Sequence, residues 1–144
     1  AGGALADLPF HRLYDAGREF ARQGVGPGDA GWRPSRANAA YGLCKSYGRA
    51  LFVPAAVSDD LLARAAQFRA KRRLPVLCWR HRGTAAALCR SSQPKVGPAR
   101  KHSTADERLL LSIVGAAQAA RGGGGPAGSE QLHVLDARPK TNAV

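Results

Sequence analysis

Near the start of the chain, small and apolar residues recur at the spacing of an amphipathic helix. Residues 12–23 predict a short helix, and Gly24 is placed to end it because glycine readily leaves the helical conformation. The residues expected on its inward face are Leu13, Gly17, Phe20 and Ala21. A second short helix is predicted over residues 35–48, after a loop rich in glycine and proline. Its inward face is expected to hold Ala37, Ala40, Tyr41 and Cys44.

The next apolar stretch, residues 49–54, predicts a strand, and a further helix follows it. Ser58 is placed to cap that helix, since its hydroxyl can accept a hydrogen bond from a free backbone N–H of the first turn. Charges of the sign that the helix dipole favours stand at both ends. These are Asp59 and Asp60 in the first turn, and Lys71, Arg72 and Arg73 in the last. The buried stripe is expected to comprise Leu61, Ala65 and Phe68.

Two apolar runs, residues 74–79 and 84–90, are separated by a turn and predict a β-hairpin. Because side chains alternate along a strand, the first run is expected to have two distinct faces. One face holds Leu74, Val76 and Cys78, and the other holds Leu77, Trp79 and His81. The odd separation therefore places Cys78 and His81 on opposite faces.

The clearest helix pattern follows a basic loop that is broken by proline and glycine. Thr104 and Glu107 have the spacing of a capping box, in which two side chains satisfy free N–H groups at a helix start. The residues expected to face inward are Leu109, Leu110, Ile113, Val114 and Ala117. A glycine-rich loop is predicted over residues 121–131, and a last strand is centred on Leu132–Leu135.

Helices and strands in this order indicate an α/β fold. The strands are centred on Leu51–Val53, Leu74–Trp79, Ala85–Cys89 and Leu132–Leu135. We expect a mixed sheet flanked by helices, although the order of its strands does not follow from the sequence. With 144 residues, 44% of them hydrophobic, the chain is long and apolar enough for one domain or a piece of one.

The chain carries a formal net charge of +12, which suggests a polyanionic partner such as nucleic acid or an anionic membrane surface. The basic loop that holds Lys95, Arg100, Lys101 and His102 lacks interleaved aromatic residues. Because a nucleic-acid platform uses such aromatics for base stacking, we interpret this loop as a solvated face. Residues 109–120 are apolar but fall short of the roughly 20 residues that a spanning helix needs, so any membrane contact is expected to be peripheral.

Three cysteines without a secretion-type start favour free thiols and an intracellular setting. A cysteine phosphatase closes its thiolate loop with an arginine six positions after the cysteine, because that geometry binds a phosphoryl dianion. Six positions after Cys44, Cys78 and Cys89 stand Ala50, Thr84 and Lys95. The trio Cys78, His81 and Cys89 also fits no familiar zinc-ligand spacing. We therefore interpret Cys78 as a buried strand cysteine beside a turn histidine.

The remaining polar clusters have structural interpretations. Gly122–Gly125 follows a helix and lacks the closing Lys-Ser or Lys-Thr of a P-loop, so it is interpreted as a linker. Asp106 and Glu107 are explained by helix capping and the helix dipole. Asp136 and Arg138 form the most site-like polar pair, for which a structural ion pair or a turn is the commoner meaning.

Several segments, in order along the chain, carry a family resemblance. The runs "WRPSRANAAYGLCKSYGRALFVP" and "FRAKRRLPVLCWRH" are followed by "RSSQPKVG", "DERLL" and "DARPKTNAV". Together they resemble the phosphatase domain of the myotubularin family of phosphoinositide phosphatases. Upstream, "YDAGREFARQGV" is similar to the segment that joins the family's N-terminal lipid-binding-type domain to the phosphatase. The resemblance is collinear over residues 12–144, with "SYGR" standing where many members have Tyr-Pro.

The resemblance implies an incomplete piece of a cysteine-phosphatase-type domain. Residues 29–144 would form the N-terminal part of that domain, and residues 1–28 a linker and helix leading into it. Family members remove the 3-phosphate from phosphatidylinositol 3-phosphate and phosphatidylinositol 3,5-bisphosphate through a Cys-x5-Arg loop, which is expected downstream of Val144. No catalytic, cofactor-binding or metal-binding residue is therefore assigned to this chain, no cofactor is expected, and the chain alone is expected to be inactive.

The partner that the resemblance implies is a phosphoinositide membrane surface, reached through the whole protein. A homo- or hetero-oligomer within the family is a further expectation, whereas a specific nucleic acid is not expected. The implied location is cytoplasmic and peripheral to endosomal-type membranes. Two alternatives stay open: a catalytically inactive adaptor of the same family, whose loop has lost its cysteine, and a small basic nucleic-acid-binding module.

Overall fold

The computed structural model describes residues 14–122 and 131–139. The elements run in chain order through helix α1 (Ala16–Arg22), strands β1 (Trp32–Ser35) and β2 (Leu51–Pro54), and helix α2 (Asp59–Phe68). After them come a 3-10 turn (Ala70–Arg72), strands β3 (Val76–Arg80) and β4 (Ala87–Arg90), and helix α3 (Thr104–Ala120).

The strands form two antiparallel pairs. β1 pairs with β2, with Trp32 opposite Pro54, and β3 pairs with β4, with Val76 opposite Arg90. β2 and β3 lie next to each other, and α2 packs against α3. The mixture of helices and strands agrees with the predicted α/β class. The described residues nevertheless form two small antiparallel sheets, so the expectation of one mixed sheet is not met there.

The strand predictions are confirmed around residues 51–53, 74–79 and 85–89. The strand predicted at Leu132–Leu135 is wrong, because residues 131–139 carry no strand and are exposed throughout. An alternating pattern makes a strand only where a neighbouring strand can pair with it, and none of the described strands does so here. β1 was not predicted, because its sequence, WRPS, has no alternating apolar pattern: it holds one large apolar residue and a proline.

Two hydrophobic clusters form the core. The first is built around α2, β2 and β3, and its buried members include Leu51, Val53, Leu61, Leu62, Leu74, Val76 and Leu109. The second joins α1, β1 and the later turns of α3, and comprises Phe20, Val25, Trp32, Phe52, Leu77, Ile113 and Ala116. The Phe20 and Phe52 rings stack with their centroids 3.7 Å apart. α3 spans both clusters, since it contributes Leu109 to the first and Ile113 to the second.

Helix α2 begins as predicted and ends early. The Ser58 hydroxyl accepts a hydrogen bond from the Leu61 N–H at 3.2 Å. The helix stops at Phe68, and Arg69 already has extended backbone geometry. Lys71 and Arg72 have φ angles of 52° and 56°, so the predicted basic last turn is a separate 3-10 turn outside the helix.

Helix α3 starts one residue away from the predicted cap. Its N-cap is Ser103, whose hydroxyl accepts from the Asp106 N–H at 3.3 Å. The predicted pairing of Thr104 with Glu107 is therefore wrong, because Thr104 is already the first helical residue. Leu109 and Ile113 are buried as expected, and the other predicted inward residues are half-buried.

Helix α1 is shorter than the sequence indicated. Asp15 caps it, with a carboxylate oxygen 2.7 Å from the Arg18 backbone nitrogen. Phe20 is buried as predicted, but Gly17 and Ala21 are exposed, which corrects the predicted inward face. Leu13 lies outside the described residues.

The helix predicted over residues 35–48 does not form. The segment makes a series of turns around the buried side chain of Asn38. The Asn38 amide donates to the carbonyl oxygens of Cys44 (2.9 Å), Tyr47 (3.3 Å) and Gly48 (2.9 Å), and its oxygen accepts from the Cys44 N–H at 2.8 Å. One asparagine thus satisfies backbone groups that a helix would have paired internally. Ala40 and Tyr41, predicted to face inward, are exposed.

Candidate functional site

The hairpin of β3 and β4 contains the residues that first suggested chemistry. A bulge between Leu77 and Trp79 shifts the register, so that Leu77 stands opposite Cys89 while Trp79 stands opposite Leu88. Such a bulge inserts an extra residue and breaks the two-residue alternation. Cys78 is consequently exposed, and Trp79 no longer shares the buried face of Leu77. The prediction of a buried Cys78 is wrong for this reason.

His81 is a turn residue, as predicted. Its Nδ1 atom lies 3.0 Å from the Thr84 backbone nitrogen and 2.9 Å from the Thr84 hydroxyl oxygen. These contacts fix the imidazole within its own turn. The Cys78 thiol instead donates to the Val76 carbonyl oxygen at 3.7 Å. The two side chains therefore form no nucleophile–base pair of the kind that thiol catalysis requires.

The thiols of Cys78 and Cys89 are held in their protonated form. Partial desolvation of its sulfur raises the pKa of the Cys78 thiol although the residue as a whole is exposed, and burial together with the neighbouring Cys78 raises the pKa of Cys89 to about 12. The Cys44 thiol is buried and donates to the Lys71 carbonyl oxygen at 3.7 Å. Because the thiolate is the nucleophile and metal ligand, Cys78 and Cys89 are poor in both roles at neutral pH. Within residues 14–122 and 131–139, no three His, Cys, Asp or Glu residues are grouped to hold a metal ion.

A buried ion pair joins α3 to the end of α2. Arg69 Nε and Nη2 donate to the two carboxylate oxygens of Asp106 at 2.7 and 2.6 Å. Arg69 Nη1 also donates to the Ser92 carbonyl oxygen at 2.9 Å. Both charged side chains are more than nine-tenths buried. The sequence pattern attributes Asp106 to helix capping and the helix dipole alone. That interpretation is incomplete, because Asp106 is the counter-ion of Arg69.

A second buried ion pair joins β3 to the loop before β1. Arg80 contacts the Asp29 carboxylate, and its Nη1 donates to the Gly24 carbonyl oxygen at 3.1 Å. The other Asp29 oxygen accepts from the backbone N–H groups of Gly31 (2.8 Å) and Trp32 (3.0 Å). Asp29 therefore orders the entry into β1 as well as neutralising Arg80. Both pairs hold elements of the described fold together.

Neither of these two ion pairs was predicted from the sequence, although the position of Asp106 in the helix pattern indicates one of them. Asp106 lies three residues before Leu109 and seven before Ile113, which is the spacing of one helical face. A carboxylate on the buried stripe of a helix requires a partner, because an unpaired buried charge is very costly. That partner, Arg69, lies far away along the chain and could not be named from the pattern.

Asp136 and Arg138 form an ion pair, which is one of the two meanings predicted for them. Arg138 Nη2 lies 2.6 Å from an Asp136 carboxylate oxygen, and Arg138 also contacts the Gln93 side chain. The hydrogen bonds from Arg138 lower the pKa of the Asp136 carboxyl to about 2. Both residues are exposed. The pair is a surface link between the 131–139 segment and the loop after β4.

The other predicted features are solvated or lie outside the described residues. The basic loop is exposed: Lys95 donates to the Gln67 carbonyl oxygen at 2.9 Å, and His102 lies 3.6 Å from Glu107. Gly122 is exposed after α3, and the glycines that follow it are not among the described residues. None of the described helices has the length and apolar character needed to cross a membrane.

Residues 7–144 match the sequence profile of the myotubularin-like phosphatase domain. The chain belongs to the myotubularin family. It is 40% identical over 133 residues to the phosphatidylinositol-3,5-bisphosphate 3-phosphatase MTMR2 of Bos taurus, a match that covers 92% of this chain and 19% of that protein.

Two other myotubularins show the same level of similarity. The phosphatidylinositol-3-phosphatase myotubularin-2 of Arabidopsis thaliana is 40% identical over 114 residues, covering 78% of this chain and 13% of that protein. Myotubularin of Rattus norvegicus is 41% identical over 132 residues, covering 92% of this chain and 20% of that protein. The chain thus spans about a fifth or less of the length of these relatives. The family resemblance inferred from sequence segments is confirmed.

Several described residues that carried the resemblance make structural contacts in this chain. Trp32 and Arg33 lie in β1, Asn38 orders the loop that follows, and Arg69 and Asp106 form the buried pair between α2 and α3. The described part is therefore a packed portion of a myotubularin-family chain.

Proposed function

We propose that this chain is a scaffold portion of a myotubularin-like phosphatase domain, and that the whole protein removes the 3-phosphate from phosphatidylinositol 3-phosphate and phosphatidylinositol 3,5-bisphosphate. The observation that carries the proposal is the family match over residues 7–144. The substrates are those in the names of the relatives MTMR2 and myotubularin-2. The division into a leading segment, residues 1–28, and a domain portion, residues 29–144, stays a prediction.

The chain itself is assigned no chemical step. None of its three cysteines is followed six positions later by an arginine, so none can close a phosphate-binding thiolate loop. The raised thiol pKa values of Cys78 and Cys89 support the same conclusion from physical chemistry. We assign the nucleophile to a Cys-x5-Arg loop in another part of the protein. The partner we propose is a phosphoinositide membrane surface on the cytoplasmic side of endosomal-type membranes, with oligomers within the family as a further proposal.

Phosphate release from the two lipids tests this assignment. The protein that contains this chain within a complete phosphatase domain is expected to release phosphate from both, and residues 1–144 alone are expected to release none. Cys78→Ser in the complete protein is the matched control and should leave the rate unchanged, because that thiol is protonated and has no basic partner. Release by residues 1–144 alone would overturn the assignment. A complete protein that is inactive, with its loop cysteine replaced, would establish the inactive adaptor instead.

A further inference from the structure

Basic residues gather on one face of the molecule, formed by the loop of residues 36–49 and the turn of residues 70–73. We call this surface the basic face. Its charged residues are Arg36, Lys45, Arg49, Lys71, Arg72 and Arg73. The loop and the turn are joined directly, since Cys44 Sγ donates to the Lys71 carbonyl oxygen at 3.7 Å and Arg73 Nε donates to the Ser46 hydroxyl oxygen at 2.8 Å. The charges therefore belong to one continuous surface.

The loop and the turn that form the basic face contain no acidic residues of their own. The sequence holds no Asp or Glu between residues 30 and 58 or between residues 61 and 105. Elsewhere, some exposed arginines pair with carboxylates, as Arg22 does with Glu19 and Arg64 with Asp60. On the basic face, by contrast, the exposed side chains of Arg36, Lys45, Arg49 and Lys71 make no ion pair with any described residue. Such uncompensated like charges create a local potential that attracts an anionic partner.

A shallow pocket of about 350 Å³ lies within this face. It is lined by Arg36, Ala39, Arg49 and Ala50, and the surface of its wall is mostly apolar. The Arg49 guanidinium stands 5.6 Å from the centre of the exposed Tyr41 ring, a cation–π contact that restricts its orientation. Guanidinium groups bind phosphate oxygens with strong charge-assisted hydrogen bonds. Arg36 and Arg49, both exposed, thus add two groups that can bind phosphate oxygens to the basic face.

The backbone beneath the basic face is held rigidly. Asn38 fixes the loop through its hydrogen bonds to the backbone groups of Cys44, Tyr47 and Gly48. Tyr47 ties the same loop to the hairpin, because its hydroxyl donates to the carbonyl oxygens of Leu74 and Arg90 at 3.1 and 3.2 Å. Preorganised charges lose little conformational entropy when they bind a partner.

We propose that the basic face docks on the anionic phospholipid headgroups of a membrane. This inference rests on the proposed function, to which it adds the surface of this chain that meets the membrane. A plane of headgroup phosphates matches a cluster of basic residues on one face. Nucleic acid fits less well, because a nucleic-acid platform stacks successive bases on several aromatic rings, and the loop and turn of this face expose one large aromatic side chain, Tyr41.

The test compares two triple charge reversals for binding to vesicles. The face variant is Lys45→Glu, Arg49→Glu and Lys71→Glu, and the control variant is Arg18→Glu, Lys101→Glu and Arg108→Glu. Each reversal lowers the net charge by two units, so both triple variants lower it by six, from +12 to +6. All six side chains are exposed and make no ion pair with a described residue. Circular dichroism and thermal unfolding of each variant verify that the fold is retained.

Vesicles of equal parts phosphatidylcholine and phosphatidylserine, without phosphoinositide, are the probe in a flotation assay. The face variant is expected to bind at least about tenfold more weakly than the original chain, with the control variant close to the original. Binding should also fall with added salt. If the face variant unfolds, single Lys45→Gln, Arg49→Gln and Lys71→Gln variants replace it, each expected to weaken binding about two- to fivefold.

Two results would overturn the proposal that the basic face docks on the membrane. Equal losses in the face and control variants would mean that the attraction is spread over the whole molecule. Preferential binding to duplex or single-stranded DNA over vesicles, lost in the face variant, would make this a nucleic-acid surface. Since the vesicles hold no phosphoinositide, neither result bears on the phosphatase proposal, which is decided separately by phosphate release from a water-soluble short-chain substrate.

Discussion

Individual polar residues inside this protein decide the shape of its loops. Asn38 replaces a predicted helix by turns because its amide pairs with four backbone groups of residues 44–48. Asp29 orders the chain at the start of β1, where its carboxylate accepts hydrogen bonds from two backbone N–H groups. Arg69 and Asp106 form a third buried polar contact, which joins α2 to α3. Each is buried, so its loss would leave a polar group without a partner.

Removing one member of the buried pair is expected to cost far more than removing both. Asp106→Leu should lower the free energy of unfolding by about 3–5 kcal/mol, because it leaves the Arg69 guanidinium buried without its counter-ion. The double variant Arg69→Met with Asp106→Leu should be clearly more stable than Asp106→Leu alone. Urea denaturation of the single variants and the double variant measures the coupling between the two residues.

The exposed pair of Asp60 and Arg64 in α2 provides the matched control. These side chains lie 3.1 Å apart and are largely exposed, so Asp60→Ala should change stability by about 0.5 kcal/mol or less. Equal effects of Asp106→Leu and Asp60→Ala would contradict the interpretation that burial makes the Arg69–Asp106 pair important.

At the scale of elements, a close backbone approach lies where the entry to β1 crosses α3. Gly31 precedes β1, and a Cβ atom added there would stand 2.1 Å from the Ala116 carbonyl oxygen. The second core cluster, which unites α1, β1 and α3, closes around this crossing. The periodicity of α3 predicted which of its residues face inward. It carried no information about which strand would approach that face, or how closely.

Gly31→Ala is expected to destabilise the protein by about 1–3 kcal/mol, because the added methyl group must push the α3 backbone away from β1. Thermal or urea unfolding measures the change. Two glycines serve as comparisons. A Cβ at Gly26 or at Gly115 meets no atom within 4 Å. Gly26→Ala should be close to neutral, and Gly115→Ala, inside α3, should stabilise by about 0.5–1 kcal/mol. A neutral Gly31→Ala would show that the crossing is looser than described.

At the scale of the whole molecule, charge is distributed unevenly. Several described carboxylates pair with a basic residue, including Glu19 with Arg22 and Asp59 with Arg33, so the excess of positive charge remains on surfaces that lack acids. The contact with Arg22 lowers the pKa of Glu19 to about 2, and the hydrogen bond from Arg33 lowers the pKa of Asp59. A carboxyl with a lowered pKa stabilises the fold while it is ionised and ceases to do so when it is protonated.

Acid is therefore expected to destabilise the protein over a defined range. The unfolded-state pKa values of Asp and Glu are about 4, and the folded-state pKa values of Glu19 and Asp136 are about 2. The stabilisation is complete above the unfolded value and is lost as the pH falls from about 4.5 to 2. Urea midpoints measured across this range check the prediction, and Asp136→Asn should flatten the decline. Stability that is constant down to pH 2 would contradict it.

The sequence by itself determined several local elements and the family of this protein. Leu51–Pro54, the β3–β4 hairpin and α3 follow from local hydrophobic patterns, and Ser58 caps α2 as a local rule predicts. Tertiary structure decided the bulge that exposes Cys78, the turns around Asn38 and the partner of Asp106. It also decided that residues 131–139 carry no strand. Each of these depends on contacts between residues distant along the chain, and no local pattern specifies which distant group will supply a hydrogen bond or a counter-charge.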